Sequence, residues 1–419
     1  MTRLKNAPLS ASRFAIAAIA ILACVLSIIT TARFGFSKIL GRYALMSNSI
    51  AVANEAVRLA PSDPQAHQAR SIVLNNLRLT SEAAQEMETA VSLRPHDDYL
   101  WLELGNLREA TGSAQAALEA FDNAVRFAPH YGHTHWQRGN LLVRMGRYDE
   151  GFSELRRAVA SNRDFLPPLI DLAWGISRGD AKITEELVQV AGDDSRLAFA
   201  RFLAQHGRAE ETIAQLGQVT RPIPRELRRD LISNLIQNKS YTEAYALWKH
   251  QTTGTDAINN SSFESDLILD EIGFGWEAAK LSGVGFVLDL NQPHNGVRSL
   301  RISFDGYEGQ EQTVFSQLLP VTPSRQYRLS FALKTRDLVS GGLPLLVVSD
   351  ANTGHLLAKS DAFHPSAGDW VEMTLHFASL SSSNAVSLKL QRNRCSNSPC
   401  PIFGHVWLDS FSLAETQSK

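Results

Sequence analysis

The phrases "AVRLAP", "AVSLRP" and "AVRFAP" close at Pro61, Pro95 and Pro129, a constant step of 34 residues. A fixed step of this size asks for one supersecondary unit built repeatedly, each copy stacked on the last to bury a face it cannot bury alone. Within Asp98–Tyr131, Trp101 and Leu104 share one helical face and Gly105 follows. The tripeptide "TGS" (111–113) interrupts the helix. A second helix carries Ala117, Phe121 and Ala124 at i, i+4 and i+7, and Pro129 ends it because proline cannot continue a helix. The small residues Gly105, Ala117 and Ala124 let two antiparallel helices approach closely, while Trp101 and Phe121 fill the space beside them.

This hairpin resembles the tetratricopeptide repeat. The preceding unit, Pro64–Asp97, keeps Ala83, Ala90 and Pro95 but has Ser71 at the glycine position. A half unit before it keeps Ala56 and Pro61. The following unit, Gly132–Phe165, keeps Gly139, Tyr148, Leu155 and Ala158 but has Arg163 in place of proline. Two later hairpins read from Ala204, Gly207 and Ala209 and from Asn238, Tyr241 and Ala244. We expect an α-solenoid of five or six hairpins over 43–251. The resemblance implies a groove that holds a protein partner.

Ahead of the repeats, 14–32 ("FAIAAIAILACVLSIITTA") runs without a charge for 19 residues. At ~1.5 Å per residue it spans ~28 Å, the apolar thickness of a bilayer. No small-x-small cleavage site follows, which favours a single uncleaved transmembrane helix after a cytoplasmic tail, 1–13. "ILAC" also resembles a bacterial lipoprotein signal ending at Cys24, although the apolar "VLSIITTA" after it departs from that pattern; either way the chain is tethered to a membrane. Arg3, Lys5 and Arg13 precede the run and Arg33, Lys38 and Arg42 follow it. With the amino terminus counted, the balance favours a cytoplasmic N-terminus in a bacterial inner membrane and a periplasmic bulk. Cys395 and Cys400 in "CSNSPC" are spaced for a disulfide across one short loop, which suits an exported location. The formal net charge of −2, from 41 basic and 43 acidic residues, leaves no surplus for a phosphate polymer and argues against nucleic acid.

Past a linker at 252–257 the period changes from 3.6 to two. Leu300, Ile302 and Phe304 alternate with Arg301, Ser303 and Asp305; Tyr327, Leu329, Phe331 and Leu333 form a second apolar face. Val371, Met373, Leu375 and Phe377 form a third, and Val386, Leu388 and Leu390 a fourth. Short spacing and Gly, Asn and Pro clusters between these runs indicate an antiparallel β-sandwich of about eight to ten strands over 258–415. The ordered phrases "INNSSFE", "GW", "HNGVRSLRISF", "SQLLPVTPSRQYRLSFALK", "GDWVEMTLHF" and "HVWLDSFSL" resemble the jelly-roll carbohydrate-binding modules of the galactose-binding-like group. That resemblance implies a structural calcium held by Glu264 and Asp409, since a hard cation takes several oxygen ligands. It also implies saccharide recognition by an exposed aromatic platform beside planar polar groups. Trp276, Tyr307, Trp370 and Trp407 are candidates by residue type, each weighed against a place in the core, and Trp407 is out of phase with Val406 and Leu408. Gln391 and Arg392, which end a strand, are the candidate hydrogen-bond donors.

Enzyme signatures fail on context. "GISRG" (175–179) matches G-x-S-x-G by letter, but its flanks are helical rather than strand-then-helix. His130, His133 and His135 fall in a turn between repeats with no acidic or cysteine ligand suitably spaced. No P-loop or dinucleotide fingerprint appears. The expectation is a non-enzymatic scaffold whose repeats hold a protein and whose sandwich holds saccharide, in assembly or export of a cell-surface polysaccharide. A purely protein-docking envelope protein is the alternative, and a glycan-processing enzyme is less favoured.

Overall fold

The computed structural model describes residues 11–249, 257–269, 272–366 and 368–416. Most of the expected cytoplasmic tail (1–10) and linker (252–256) lies outside these residues. The chain forms two compact units that divide in sequence at Gln189/Val190.

In the first unit, helix α1 (Ala11–Ser47) is followed by α2 (Ile50–Leu59), α3 (Pro64–Asn76), α4 (Thr80–Leu93), α5 (Asp98–Ala110) and α6 (Ala114–Phe127). Then come α7 (Gly132–Arg144), α8 (Tyr148–Ser161), α9 (Leu166–Ile176) and α10 (Ala181–Val188). The apolar part of α1 is long enough to cross a membrane and is covered by none of the described residues. The same helix continues unbroken into the repeat array. Ser37 Oγ donates to the Ala56 carbonyl (2.8 Å), and the Gly41 position lies against Ala69. Ala44 is buried with Ala53 and Val73. The second half of α1 therefore serves as the first helix of the first hairpin.

Three successive repeats are each tied to the one before by the same bond. Trp101 Nε1 donates to the Pro95 carbonyl (2.8 Å). His67 Nε2 reaches the Pro61 carbonyl (2.9 Å), and His135 Nε2 the Pro129 carbonyl (2.8 Å). The recurring prolines thus end a helix and present an acceptor to an aromatic N–H six residues later. Both histidines use their second nitrogen on a glutamate of the same hairpin: His67 Nδ1 on Glu86 (2.9 Å) and His135 Nδ1 on Glu154 (2.6 Å). Ser71, which replaces the expected glycine, donates to the Ala83 carbonyl (2.7 Å) and so links its two helices by a hydrogen bond.

In the second unit, α11 (Gly192–Gln205) pairs with α12 (Ala209–Leu216) and α13 (Arg225–Gln237) with α14 (Tyr241–Lys249). The fourteen described helices make seven hairpins rather than five or six, because half of α1 supplies a helix that the sequence pattern assigned to anchor and connector. Ten strands follow: β1 (Glu277–Ala278), β2 (Val284–Asp289), β3 (Ser299–Tyr307), β4 (Thr313–Pro320) and β5 (Gln326–Val339), then β6 (Pro344–Asp350), β7 (Leu356–Lys359), β8 (Val371–Ala378), β9 (Ala385–Arg392) and β10 (Ile402–Thr416). They form two five-stranded antiparallel sheets, ordered β1-β4-β9-β6-β7 and β2-β3-β10-β5-β8. Leu300, Ile302, Leu329, Phe331, Leu388, Leu390, Val406 and Leu408 fill the space between the sheets. The period-two runs in the sequence are these strands.

The outer face of the first sheet does not stand free at its β4–β9 end. Leu318 and Ala385 join Phe274 in one apolar cluster with Ile232, Tyr241 and Trp248 of the last hairpin. Tyr241 Oη donates to the Ala351 carbonyl (2.9 Å), and Lys239 Nζ to the Asn352 carbonyl (2.9 Å).

Candidate functional site

At one end of the sandwich, three connections converge on a single buried arginine. Arg392, the last residue of β9, is almost fully buried. Its guanidinium donates to the carbonyls of Tyr307 (2.8 Å), Gly309 (3.1 Å), Gly342 (3.1 Å) and Cys400 and to Ser340 Oγ (2.9 Å). Burial draws its pKa below the usual arginine value, opposed by the nearby Tyr307. With these donors spent on main-chain oxygens, Arg392 holds loops together and offers nothing to a saccharide, a correction to its expected role.

The β9–β10 connection is closed by the Cys395–Cys400 disulfide. Gly341 N donates to the Pro399 carbonyl (2.8 Å), Ser396 N to the Gly341 carbonyl (3.1 Å) and Cys395 N to Gln310 Oε1 (3.0 Å). A Cβ at Gly341 would overlap the Asn397 carbonyl, so only glycine permits this approach. Beside these loops opens a cleft of about 740 Å³, lined in part by Leu338, Val339, Asn393, Arg394, Ser396 and Asn397. The side-chain amides of Asn393 and Asn397 hydrogen-bond to none of the described residues. Val339 is exposed and pairs across the sheet with Phe403, whose ring is 43% exposed. Unspent planar amides on a cleft with an apolar wall are the hydrogen-bonding groups a polyhydroxylated ligand requires, and Phe403 lies across the sheet from that wall.

The expected aromatic platform is elsewhere and closed. Trp276 is buried and stacks on Phe315 at 4.5 Å. Tyr307 is buried, and its hydroxyl donates to Gln312 Oε1 (3.1 Å). Trp407 lies on the outer face, opposite Arg301 and Lys334, as its phase requires. It is nevertheless only 2% exposed. Arg336 roofs its ring at 5.2 Å, and its Nε1 donates to Asp289 Oδ2 (2.8 Å). Burial pushes the Asp289 carboxyl up, but Trp407, the Asn291 amide and Arg301 together hold it below the ordinary aspartate value. Trp370 is half-buried beside His294 at 5.3 Å. Gln391, also half-buried, spends its amide on Thr313 Oγ1 (3.4 Å). None of these rings or donors lines the cleft. Phe403 was missed because a single aromatic at a strand start carries no periodic signal. Its odd-number phase with Trp407 on β10 is the clue that was present.

Glu264 and Asp409 are brought to one loop, where each accepts backbone amides. Asp409 is fully buried, and its carboxylate accepts the amides of His294 (2.9 Å), Asn295 (3.3 Å) and Ser410 (2.6 Å). Burial raises its pKa, and these amides partly offset the rise. Glu264 Oε1 accepts the amides of Val297 (2.9 Å) and Arg298 (3.2 Å). The Arg298 guanidinium bonds to the Glu264 carbonyl and pairs with Asp266 (3.4 Å). Amides take Glu264 Oε1 and both Asp409 oxygens, and the guanidinium takes the Glu264 backbone carbonyl. The two carboxylates clamp 294–298 to β10 and to the segment before β1. Among the described residues no three His, Cys, Asp or Glu side chains gather. Ser177 of "GISRG" follows helix α9, without a preceding strand, and shares a hydrogen bond with Thr184 Oγ1 (2.8 Å).

No protein-family description matches the chain, and none of the curated proteins does. Among solved structures, PilF of Pseudomonas aeruginosa is 14% identical with a TM-score of 0.35, covering 53% of this chain and 99% of its own. YrrB, a TPR protein with an unusual peptide-binding site, is 16% identical with a TM-score of 0.27, covering 48% and 90%. The CBM22-1 xylan-binding domain of Paenibacillus barcinonensis Xyn10C is 19% identical with a TM-score of 0.26, covering 38% and 94%. The architecture itself is tetratricopeptide-like helical hairpins, preceded by an apolar helix and followed by a sandwich of two five-stranded antiparallel sheets.

Proposed function

We propose that this protein is a membrane-anchored scaffold that joins a saccharide to a protein partner, without chemistry of its own. In this reading α1 spans a bacterial inner membrane, and the repeats and sandwich stand in the periplasm. The repeats dock protein and the sandwich takes saccharide at the disulfide-edged cleft. Assembly or export of a cell-surface polysaccharide needs such an adaptor. The observation that carries the saccharide half is the cleft lined by the unspent Asn393 and Asn397 amides, with the exposed Phe403 across the sheet from its Val339 wall.

The test is a glycan array probed with the full chain in detergent, beside Phe403→Ala and Asn397→Ala. Retention of one saccharide class, weakened about tenfold or more in either variant, is expected for loss of a stacking or hydrogen-bonding group. Retention of no glycan by the unaltered chain removes the saccharide half, and protein capture by the sandwich without any sugar replaces it with protein docking. A reporter enzyme fused after residue 250 is expected to be active on the outer side; activity only in the cytosol overturns the topology.

A further inference from the structure

Helix α5 carries two residues that the repeat fold does not use, Tyr99 and Glu103, one turn apart on one face. Tyr99 is 48% exposed, as is Tyr131, which precedes α7. Tyr131 lies 6.1 Å from the His133 ring, which stacks toward Phe165 at 6.5 Å; Phe165 in turn stacks on Trp136 at 4.9 Å. Glu103 is half-buried, hydrogen-bonded to Tyr99 and near enough to His133 to feel its charge. Glu109 of the same helix pairs with Arg144, and the capping Asp97 with Arg94 (3.2 Å). Among the described residues Glu103 pairs with no lysine or arginine.

We propose that Tyr99, Glu103, Tyr131 and His133 form a receptor for a lysine or arginine side chain of an extended polypeptide partner. This rests on the reading that the repeats dock protein, and it names the chemistry that the docking selects. The rings supply electron-rich faces to a cation and apolar surface to its methylene stem, and the carboxylate supplies the counter-charge. Burial raises the Glu103 pKa, so the half-buried anion gains by acquiring a positive neighbour. Tyr99 is held above its ordinary value mainly by the Glu103 charge, which keeps its hydroxyl a donor to that carboxylate. A carboxylate ligand is excluded by the same charge, so the site discriminates between peptides by sign.

The experiment pans a displayed library of random linear peptides against the full chain in detergent, then measures synthetic copies of the selected peptides by calorimetry. Selected peptides are expected to share a lysine or arginine. Replacing that lysine by norleucine, or that arginine by citrulline, should weaken binding about tenfold, the size of one desolvated cation–π or charge contact. Glu103→Gln should abolish the difference between the charged and neutral peptides. Tyr131→Leu, at an exposed position, gives a second readout that leaves the repeat core alone. Selected peptides without a basic residue overturn this receptor and leave protein docking standing. Basic peptides that bind equally well to both variants also overturn the receptor. A library that yields no binder removes both.

Discussion

At the scale of single residues, the repeats depend on positions where atoms are missing. A Cβ at Gly105 would press into the Phe121 ring, which is fully buried against it. Gly139 repeats the arrangement, with a Cβ there 2.8 Å from Leu155 Cγ. Gly105→Val therefore forces apart α5 and α6. An overpacked helix contact of this kind costs about 2–3 kcal/mol, and thermal unfolding followed by circular dichroism should show a markedly lower midpoint. An unchanged midpoint would mean that the hairpin does not close on Phe121. Arg392 teaches the opposite lesson. A charged side chain at a strand end looks like a ligand contact in sequence, yet its donors are used up inside.

At the scale of elements, the disulfide connection forms one wall of the candidate cleft. Closing so short a loop stabilises by about 2 kcal/mol in the chain-entropy picture, and the loop is also held by main-chain bonds to Gly341. Reduction, or Cys395→Ser with Cys400→Ser, is expected to lower the sandwich midpoint modestly. It should also raise amide hydrogen exchange at 393–400 and at 340–342 together, because the two segments share their bonds. Exchange that rises in only one of them would show that they are not coupled. The helix–strand division and the strand phases were legible in the residue pattern, since a period of two or 3.6 follows from which face must leave water. The end of the anchor was not legible. Ser37, Gly41 and Ala44 differ little in composition from a transmembrane segment's flank, and only their contacts with Ala56, Ala69 and Val73 show them to be repeat.

At the scale of the molecule, the last helices and the sandwich share a core. Phe274, Leu318 and Ala385 are covered by Ile232, Tyr241 and Trp248. Exposing side chains of this size costs about 1.5–3 kcal/mol for each large one. A fragment of residues 190–419 is therefore expected to unfold in one transition, at a higher temperature than a fragment of 258–419. The shorter fragment should also associate through its bared sheet face in size-exclusion chromatography. Equal midpoints and equal elution as monomers would show that the helices add nothing to the sandwich.

What the chain determined by itself was everything that depends on spacing along it: the repeat step, the helix-breaking prolines, the alternation of the strands, the apolar run and the cysteine pair. These are local, because a helix turn, a pleat or a short loop is decided by neighbours in sequence. Only the tertiary structure decided which rings are open. Trp276, Tyr307 and Trp407 are buried and Phe403 is exposed, and Glu264 and Asp409 accept amides of one loop. Exposure and coordination are set by groups distant in sequence: Arg336 and Asp289 for Trp407, and the 294–298 loop for both carboxylates. No pattern along the chain records where those groups come to rest.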